Sequence, residues 1–455
     1  MALSAASPGA PYHRPMPPAW IWITAALALG CPRTAPLSPP PKVEARRIVI
    51  LEDDYGKALA LARKRNVPLF VDAWATWCHT CLSLRAYVFP DPALLPFADK
   101  LVWASIDTEK EGNAAFLEKF PVDVWPTLFV IDPVTEKPVL KWMGTATAQE
   151  LSVLLEEATT STSGEAMAAL VRGDRAAAEE KTNEAVEHYR AALAAAKPGW
   201  GRRPRVVEAL SIQLLRAHDH AACVALAVGE LPSMPAGTSK ANVAINGLEA
   251  SAKLKNGASD VQDAAKLEGA VEALASDALA KLLPDDRSSL FEVLVAHRKA
   301  KGDVDGAKKA ARAWATLLEH EATSAKTAEA RAVFDPHRLL AYAELGELDK
   351  CVPMFRQSEK DFPEDYNPPT RLAWVYMKLG RLDDATATIE RAKKLAYGPR
   401  TLTVLKIDAD IHLARGDKVG ARATLEKAIA LGESMKLSGI QAKVLVEIRK
   451  KLAQL

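Results

Sequence analysis

Net charge is almost absent from this chain of 455 residues: 59 Lys and Arg stand against 57 Asp and Glu, leaving +2. With no long basic stripe either, nucleic-acid binding through a general electrostatic footprint has little support. Cysteine is scarce, five residues at 31, 78, 81, 223 and 351, which is too few for a disulfide-built scaffold. Long apolar runs are missing too. The most apolar stretch, Ala19–Gly30, is about twelve residues, short of the roughly 20 that span a bilayer. What is present, 49% hydrophobic and 25% charged residues, is the composition of an ordinary globular protein and argues against wholesale disorder, collagen-like repetition or a multi-span membrane protein. The length corresponds to about three domain-sized units.

The apolar stretch follows His13 and Arg14 and matches the h-region of a secretory signal, expected over residues 1–30 and excluded from fold reasoning. Ala28-Leu29-Gly30-Cys31 resembles the lipobox of bacterial lipoproteins, although Ala28 stands where such motifs usually carry Leu. That resemblance implies a lipid on the Cys31 sulfur; an ordinary cleaved signal or an uncleaved anchor are the alternatives. Residues 31–45 are proline-rich and form no packed element, which suits an extended tether holding a domain off a membrane.

Residues 46–158 alternate helical and strand patterns. An amphipathic helix is expected over 54–64, a buried strand over 68–73, a helix from Cys78 to Phe89 stopped by Pro90, and a strand over 101–106. Runs 127–131 and 139–143, separated by Asp132-Pro133, read as an antiparallel hairpin. Thr147 and Glu150 form a capping box opening a closing helix.

Trp77-Cys78-His79-Thr80-Cys81 falls where the first buried strand passes into a helix. Two cysteines three apart can close a small disulfide ring. Free N–H groups at the helix start favour a thiolate on Cys78, which is expected to be the exposed nucleophile, with Cys81 one turn deeper as the resolving thiol. A protonated His79 adds to that preference. A zinc site would need two more Cys or His ligands at suitable spacing; none is near in sequence, so no metal is expected. Asp72 inside an apolar strand is hard to explain structurally and points to function.

Phe70-Val-Asp-Ala-Trp-Ala-Thr-Trp-Cys78, Val124-Trp-Pro-Thr127 and Gly144, occurring together and in order, resemble the thioredoxin superfamily over about a quarter of the chain. The resemblance implies thiol-disulfide exchange with no cofactor beyond the Cys78–Cys81 disulfide. Cys78 would attack, Cys81 would resolve, and Asp72 would help move the Cys81 proton. Pro126, if cis, would place its preceding backbone beside the cysteines, with Trp77, Trp125 and Thr127 as substrate contacts. Trp103 stands where thioredoxin has a Lys near the buried Asp, and Val88–Leu95 looks like the insertion of periplasmic thioredoxin-like domains. Trp74, Trp103 and Trp142 are expected to pack in the core or at its edge.

Residues 159–164 are small and polar, a hinge, after which the chain turns helical to its end. Gly346, Gly380 and Gly416 recur at spacings near the 34-residue tetratricopeptide unit; Ala385, Ile389 and Ala392 repeat as Ala421, Leu425 and Ala428. Gly302 with Ala307 looks like a further copy, and Ala185, Tyr189 and Ala192 resemble an early second helix. Between about 200 and 285 the copies blur. Five to seven helix pairs are expected in a curved array, with Cys223 and Cys351 as buried packing residues. The expected fold class is thus an α/β thioredoxin-like domain (46–158) followed by an all-α tetratricopeptide-like solenoid (165–455). The expected function is thiol-disulfide exchange on protein disulfides or thiols at the periplasmic or cell-surface side of a bacterial membrane, with the repeats binding protein or peptide partners and all chemistry lying before residue 158. The alternative is a tetratricopeptide interaction scaffold carrying a vestigial or regulatory redox motif.

Overall fold

Short, almost continuously apolar runs decide the first domain of the fold, because strands covered on both faces carry no polar alternation. In the computed structural model, which describes residues 47–159, 164–254, 257–435, 437 and 439–455, these runs become a five-stranded sheet in the order β1-β3-β2-β4-β5. The strands are β1 (Ile50–Glu52), β2 (Leu69–Trp74), β3 (Val102–Asp107), β4 (Thr127–Ile131) and β5 (Pro138–Met143). β1 and β2 run parallel to β3, whereas β4 is antiparallel to β2 and to β5. The apolar leader, Cys31, the proline-rich segment through residue 46, and residues 160–163 of the hinge lie outside the described residues.

Both faces of the sheet are covered. Phe70, Trp103, Leu128 and Val130 pack with Leu84, Val88 and Leu154 on one side, and Leu69, Val71, Val102, Ala104 and Phe129 pack with Ala58, Ala62 and Phe116 on the other. Each fully buried Leu or Phe of this kind contributes about 2–3 kcal/mol. The flanking helices are α1 (Tyr55–Arg65), α2 (His79–Ser83, extended by a π-helical turn through Val88), α3 (Ala114–Lys119) and α4 (Ala148–Thr159). Thr147 and Glu150 cap α4 reciprocally, as their spacing predicts.

The remaining helices pair as α5/α6 (Glu165–Ala178, Thr182–Ala195), α7/α8 (Arg203–Arg216, His220–Glu230), α9/α10 (Thr238–Ser251, Ala258–Ser276) and α11/α12 (Pro284–Ala300, Val304–Ser324). After the short α13 (Ala328–Ala332) come α14/α15 (Asp335–Leu345, Cys351–Asp361), α16/α17 (Asn367–Lys378, Leu382–Leu395), α18/α19 (Thr401–Ala414, Lys418–Glu433) and the final α20 (Gly439–Ala453). One device ends the first helix of most pairs: a residue with positive φ, after which the next N–H bonds back five residues. Gly302, Gly346, Gly380 and Gly416 hold that position, with Asp303, Glu347, Arg381 and Asp417 donating to Arg298, Tyr342, Tyr376 and His412. Glu180 and His218 hold it in the first two pairs, and Lys181 and Asp219 donate in the same way. In these two pairs the glycine signal is missing from the sequence because non-glycine residues take a glycine-favouring conformation, while the turn itself persists.

Small residues close the pairs. Ala385, Ile389, Ala392, Ala421, Leu425, Ala428 and Cys351 are fully buried. Cys223 and Cys351 are free buried thiols, and burial pushes both up to about 12. Among the described residues no helix is long and apolar enough to cross a membrane. Residues 46–455 form one compact unit, so sheet domain and helical array are packed against each other.

Candidate redox site between the sheet and the helical array

The site begins at the C-terminal end of β2, where the chain leaves the sheet at Trp74 and enters α2 at His79. Cys78 caps that helix: its Sγ accepts from the Cys81 N–H at 3.0 Å and lies 3.3 Å from Thr80 Oγ1. The two cysteines are joined as a disulfide. The helix-terminal donor aimed at Cys78 Sγ is the group that would stabilise a thiolate there after reduction. Trp125-Pro126 is a cis peptide, and the Trp125 carbonyl lies 3.5 Å from Thr80 Oγ1. Gly144, at φ 106, ends β5 by donating its N–H to the Pro126 carbonyl.

Beneath the motif, Asp72 is 1% exposed on the sheet face shared with Phe70. Its Oδ2 accepts from Ser105 Oγ at 3.0 Å, and Oδ1 is buried without a partner. Burial pushes the carboxyl up to about 7, opposed by the charge of Arg85 and by the Ser105 hydrogen bond. Arg85 donates to Ser105 Oγ at 2.6 Å and pairs with Glu52. Trp103 instead packs beside Phe70 in the core, and Arg85 from the π-helical turn supplies the local cation.

Of the expected substrate contacts, Trp77 and Trp125 are half-buried and pack on each other at 5.2 Å between ring centroids. Thr127 is fully buried and donates its hydroxyl to the Val124 carbonyl, leaving it no side-chain surface for a substrate. Cys31 lies outside the described residues.

Two expectations fail here, for one reason. Cys78 is not the exposed nucleophile: it is 3% exposed and Cys81 0%. Nor do the groups around it all precede residue 158, because the helical array closes over the motif. Asn367 Nδ2 donates to Thr76 Oγ1 at 3.1 Å, and Arg371 donates to the Trp77 carbonyl at 3.3 Å. The Arg400 guanidinium sits 4.8 Å over the Trp77 ring. Trp77 Nε1 donates to Glu109, a 3% exposed carboxylate that also accepts from the Arg400 N–H and from Gln441. Burial raises Glu109 above the usual carboxylate range, against the pull of these donors. Tyr397 donates to Asp107 at 2.6 Å, and Gly398, at φ 61, brings backbone directly onto Glu109.

His79 is drawn into the array altogether. Its Nδ1 lies 2.9 Å from Asp285 Oδ1 on α11, and its Nε2 lies 3.0 Å from Nε2 of His337 on α14, 258 residues away in sequence. His337 Nδ1 contacts Ser288 Oγ, which accepts from Trp314 Nε1 at 2.6 Å. Burial opposes charging the His79 ring, but the Asp285 carboxylate outweighs it and the net shift is upward. Burial and the neighbouring His79 push His337 down to about 3. No spacing in the sequence couples residues 79, 285 and 337; each reads locally as an ordinary helix residue.

A thioredoxin-like family model matches residues 50–133. Among curated proteins, the chain is 26% identical over 93 residues to the chloroplastic thioredoxin-like protein CITRX of Solanum lycopersicum, covering 20% of this chain and 51% of that protein. It is 28% identical over 81 residues to the same-named protein of Solanum tuberosum, covering 18% and 44%. The chain thus spans about half the length of the curated relatives it matches. Among solved structures, it is similar to a tetratricopeptide repeat protein from Parabacteroides merdae (14% identity, TM-score 0.39, 62% of this chain and 98% of that one). A thermophilic tetratricopeptide protein of Thermus thermophilus is also similar (17%, TM-score 0.26, 54% and 98%). The chain carries a thioredoxin-like domain with a Cys78–Cys81 pair, followed by tetratricopeptide-like helical repeats.

Proposed function

We propose that this protein is a thiol-disulfide oxidoreductase acting on protein disulfides outside the cytoplasm, tethered by a lipid on Cys31, with its helical repeats governing which partners reach the motif. The observation that carries this reading is the Cys78–Cys81 disulfide at the start of α2, with the Cys81 N–H aimed at Cys78 Sγ and the buried Asp72 carboxyl on the strand leading into it. In the reducing direction the Cys78 thiolate attacks a substrate disulfide, forming a mixed disulfide and releasing one substrate thiolate. Cys81, losing its proton toward Asp72, then attacks Cys78 Sγ. The substrate leaves with two electrons and the protein disulfide is restored; the oxidising direction is the reverse. Because the array touches the motif at Thr76, Trp77 and His79, a protein substrate approaching Cys78 must displace those contacts, and this supports a selective role for the repeats.

Full-length Cys81→Ser tests the reading. The attack survives while release is lost, so mixed disulfides through Cys78 accumulate with disulfide-bearing proteins and vanish in Cys78→Ser/Cys81→Ser. Failure to form adducts even with a small disulfide contradicts the proposal. It would favour the second reading, which the burial of Cys78 supports, of an interaction scaffold whose redox pair is regulatory.

A further inference from the structure

Imidazoles and carboxylates from two parts of the chain converge at the outer side of α2. His79 Nε2 and His337 Nε2 are 3.0 Å apart with ring centroids at 4.0 Å, and one donor atom from each of His79, His337 and Asp285 fits within 4.8 Å of the others. Glu292 on α11 brings a second carboxylate, its Oε2 3.7 Å from His337 Nε2, with its side chain 48% exposed at the rim. We propose that His79 Nε2 and His337 Nε2 form a binding site for a late first-row divalent cation, with Asp285 orienting His79 from behind and Glu292 at the solvent entrance, joining the redox motif to the helical array.

Four observations point the same way. The nitrogen separation is close to the roughly 3.3 Å between neighbouring ligand atoms of a tetrahedral site with bonds of about 2.0 Å. The Asp285 Oδ1 contact places an N–H at His79 Nδ1, so Nε2 is the ring atom a cation would take by displacing a proton, the arrangement in which a carboxylate orients a metal-binding histidine. The Ser288 hydroxyl can accept from both Trp314 and His337 Nδ1, which leaves a lone pair on His337 Nε2 facing His79 Nε2. Finally, Glu292 Oε2 lies 3.7 Å from His337 Nε2 on a side chain open to solvent, an anionic third ligand for an entering cation. Arg371 also acts on both rings, but its guanidinium is directed to the Trp77 carbonyl. Two imidazoles with carboxylates and no thiolate suit Zn²⁺, Co²⁺ or Ni²⁺ rather than Mg²⁺ or Ca²⁺. A single proton shared between the two Nε2 atoms is the competing occupant.

The test uses full-length oxidised protein without a histidine tag, titrated with Co²⁺ alone. Because the cysteines are held as a disulfide, the outcome does not depend on whether they exchange thiols. One Co²⁺ per chain is expected to bind with visible d–d absorption, and His337→Gln or His79→Gln should weaken binding on the order of 100-fold, more than loss of an outer partner. Near-UV circular dichroism establishes that each variant keeps its fold; if buried His337→Gln does not, the less buried His79→Gln carries the comparison. Absence of stoichiometric binding in the wild type would leave the shared proton as the occupant and overturn the proposal. So would affinity unchanged in the folded histidine variants, or a thiolate charge-transfer band placing the cation on sulfur.

Discussion

The two sides of the redox motif each bury a carboxylate, and the two carboxylates have opposite fates. Asp72, under the motif within the sheet domain, has one hydroxyl partner and an uncompensated oxygen, and burial drives its carboxyl up to about 7. Asp285, beside the motif in the array, is buried as deeply, yet the facing His79 outweighs the burial and holds its pKa below the ordinary value. Burial alone does not set the charge; an opposite charge within hydrogen-bond distance does. The sheet domain thus keeps a buried group near its titration point on the strand that leads into the motif, and the array uses a charged group to hold that domain in place.

Removing the first carboxylate should give the largest effect. Between about pH 4 and 7 folded Asp72 keeps a proton that the unfolded chain has released, so stability falls as pH rises through that window and is lowest above it. Asp72→Asn should therefore stabilise the oxidised protein at pH 8 on the order of 3–4 kcal/mol, from a shift of about three pKa units, with almost no gain at pH 4. Denaturant unfolding at the two pH values measures this, and an equal effect at both would show that Asp72 does not carry the shift.

On the array side, Gly398→Ala should break the seam without touching the cysteines. The added Cβ would collide with the Glu109 carbonyl oxygen and lie 3.0 Å from its carbon, at a φ of 61 that side chains rarely adopt. A loss of about 2–3 kcal/mol is expected from overpacking and strain, together with faster reduction of Cys78–Cys81 by a small phosphine. Unchanged stability and reduction rate would mean that the seam is looser than its contacts imply.

The smallest effect concerns the array's own turns. Glu180→Gly and His218→Gly, at φ 59 and 58, should each stabilise by about 0.5–1 kcal/mol, because glycine adopts this conformation without the Cβ penalty. Thermal unfolding of the single and double variants measures it. A loss of stability would show that the two side chains contribute more than their backbone strain costs.

Local order was legible in the sequence because short-range physics writes it there. Short apolar runs bounded by turn residues located β2 to β5, the Thr147 and Glu150 spacing located the start of α4, and the later repeats announced themselves through Gly302, Gly346, Gly380 and Gly416, where a left-handed turn favours glycine. The Cys78–Cys81 spacing, Asp72 and Pro126 marked the redox motif for the same reason, since each acts within a few residues of its element. The glycine signal is absent from the first two pairs because Glu180 and His218 adopt, at some cost, the turn conformation that glycine takes freely.

The sequence by itself determined the elements, the disulfide-forming pair and the two kinds of architecture. Only the tertiary structure decided that Cys78 is covered and that His79 meets Asp285 and His337. Those outcomes depend on contacts between residues separated by 206 to 294 positions, made when the array folds back over the sheet. Periodicity, propensity and capping are properties of a few consecutive residues, and none of them encodes which distant side chain will arrive.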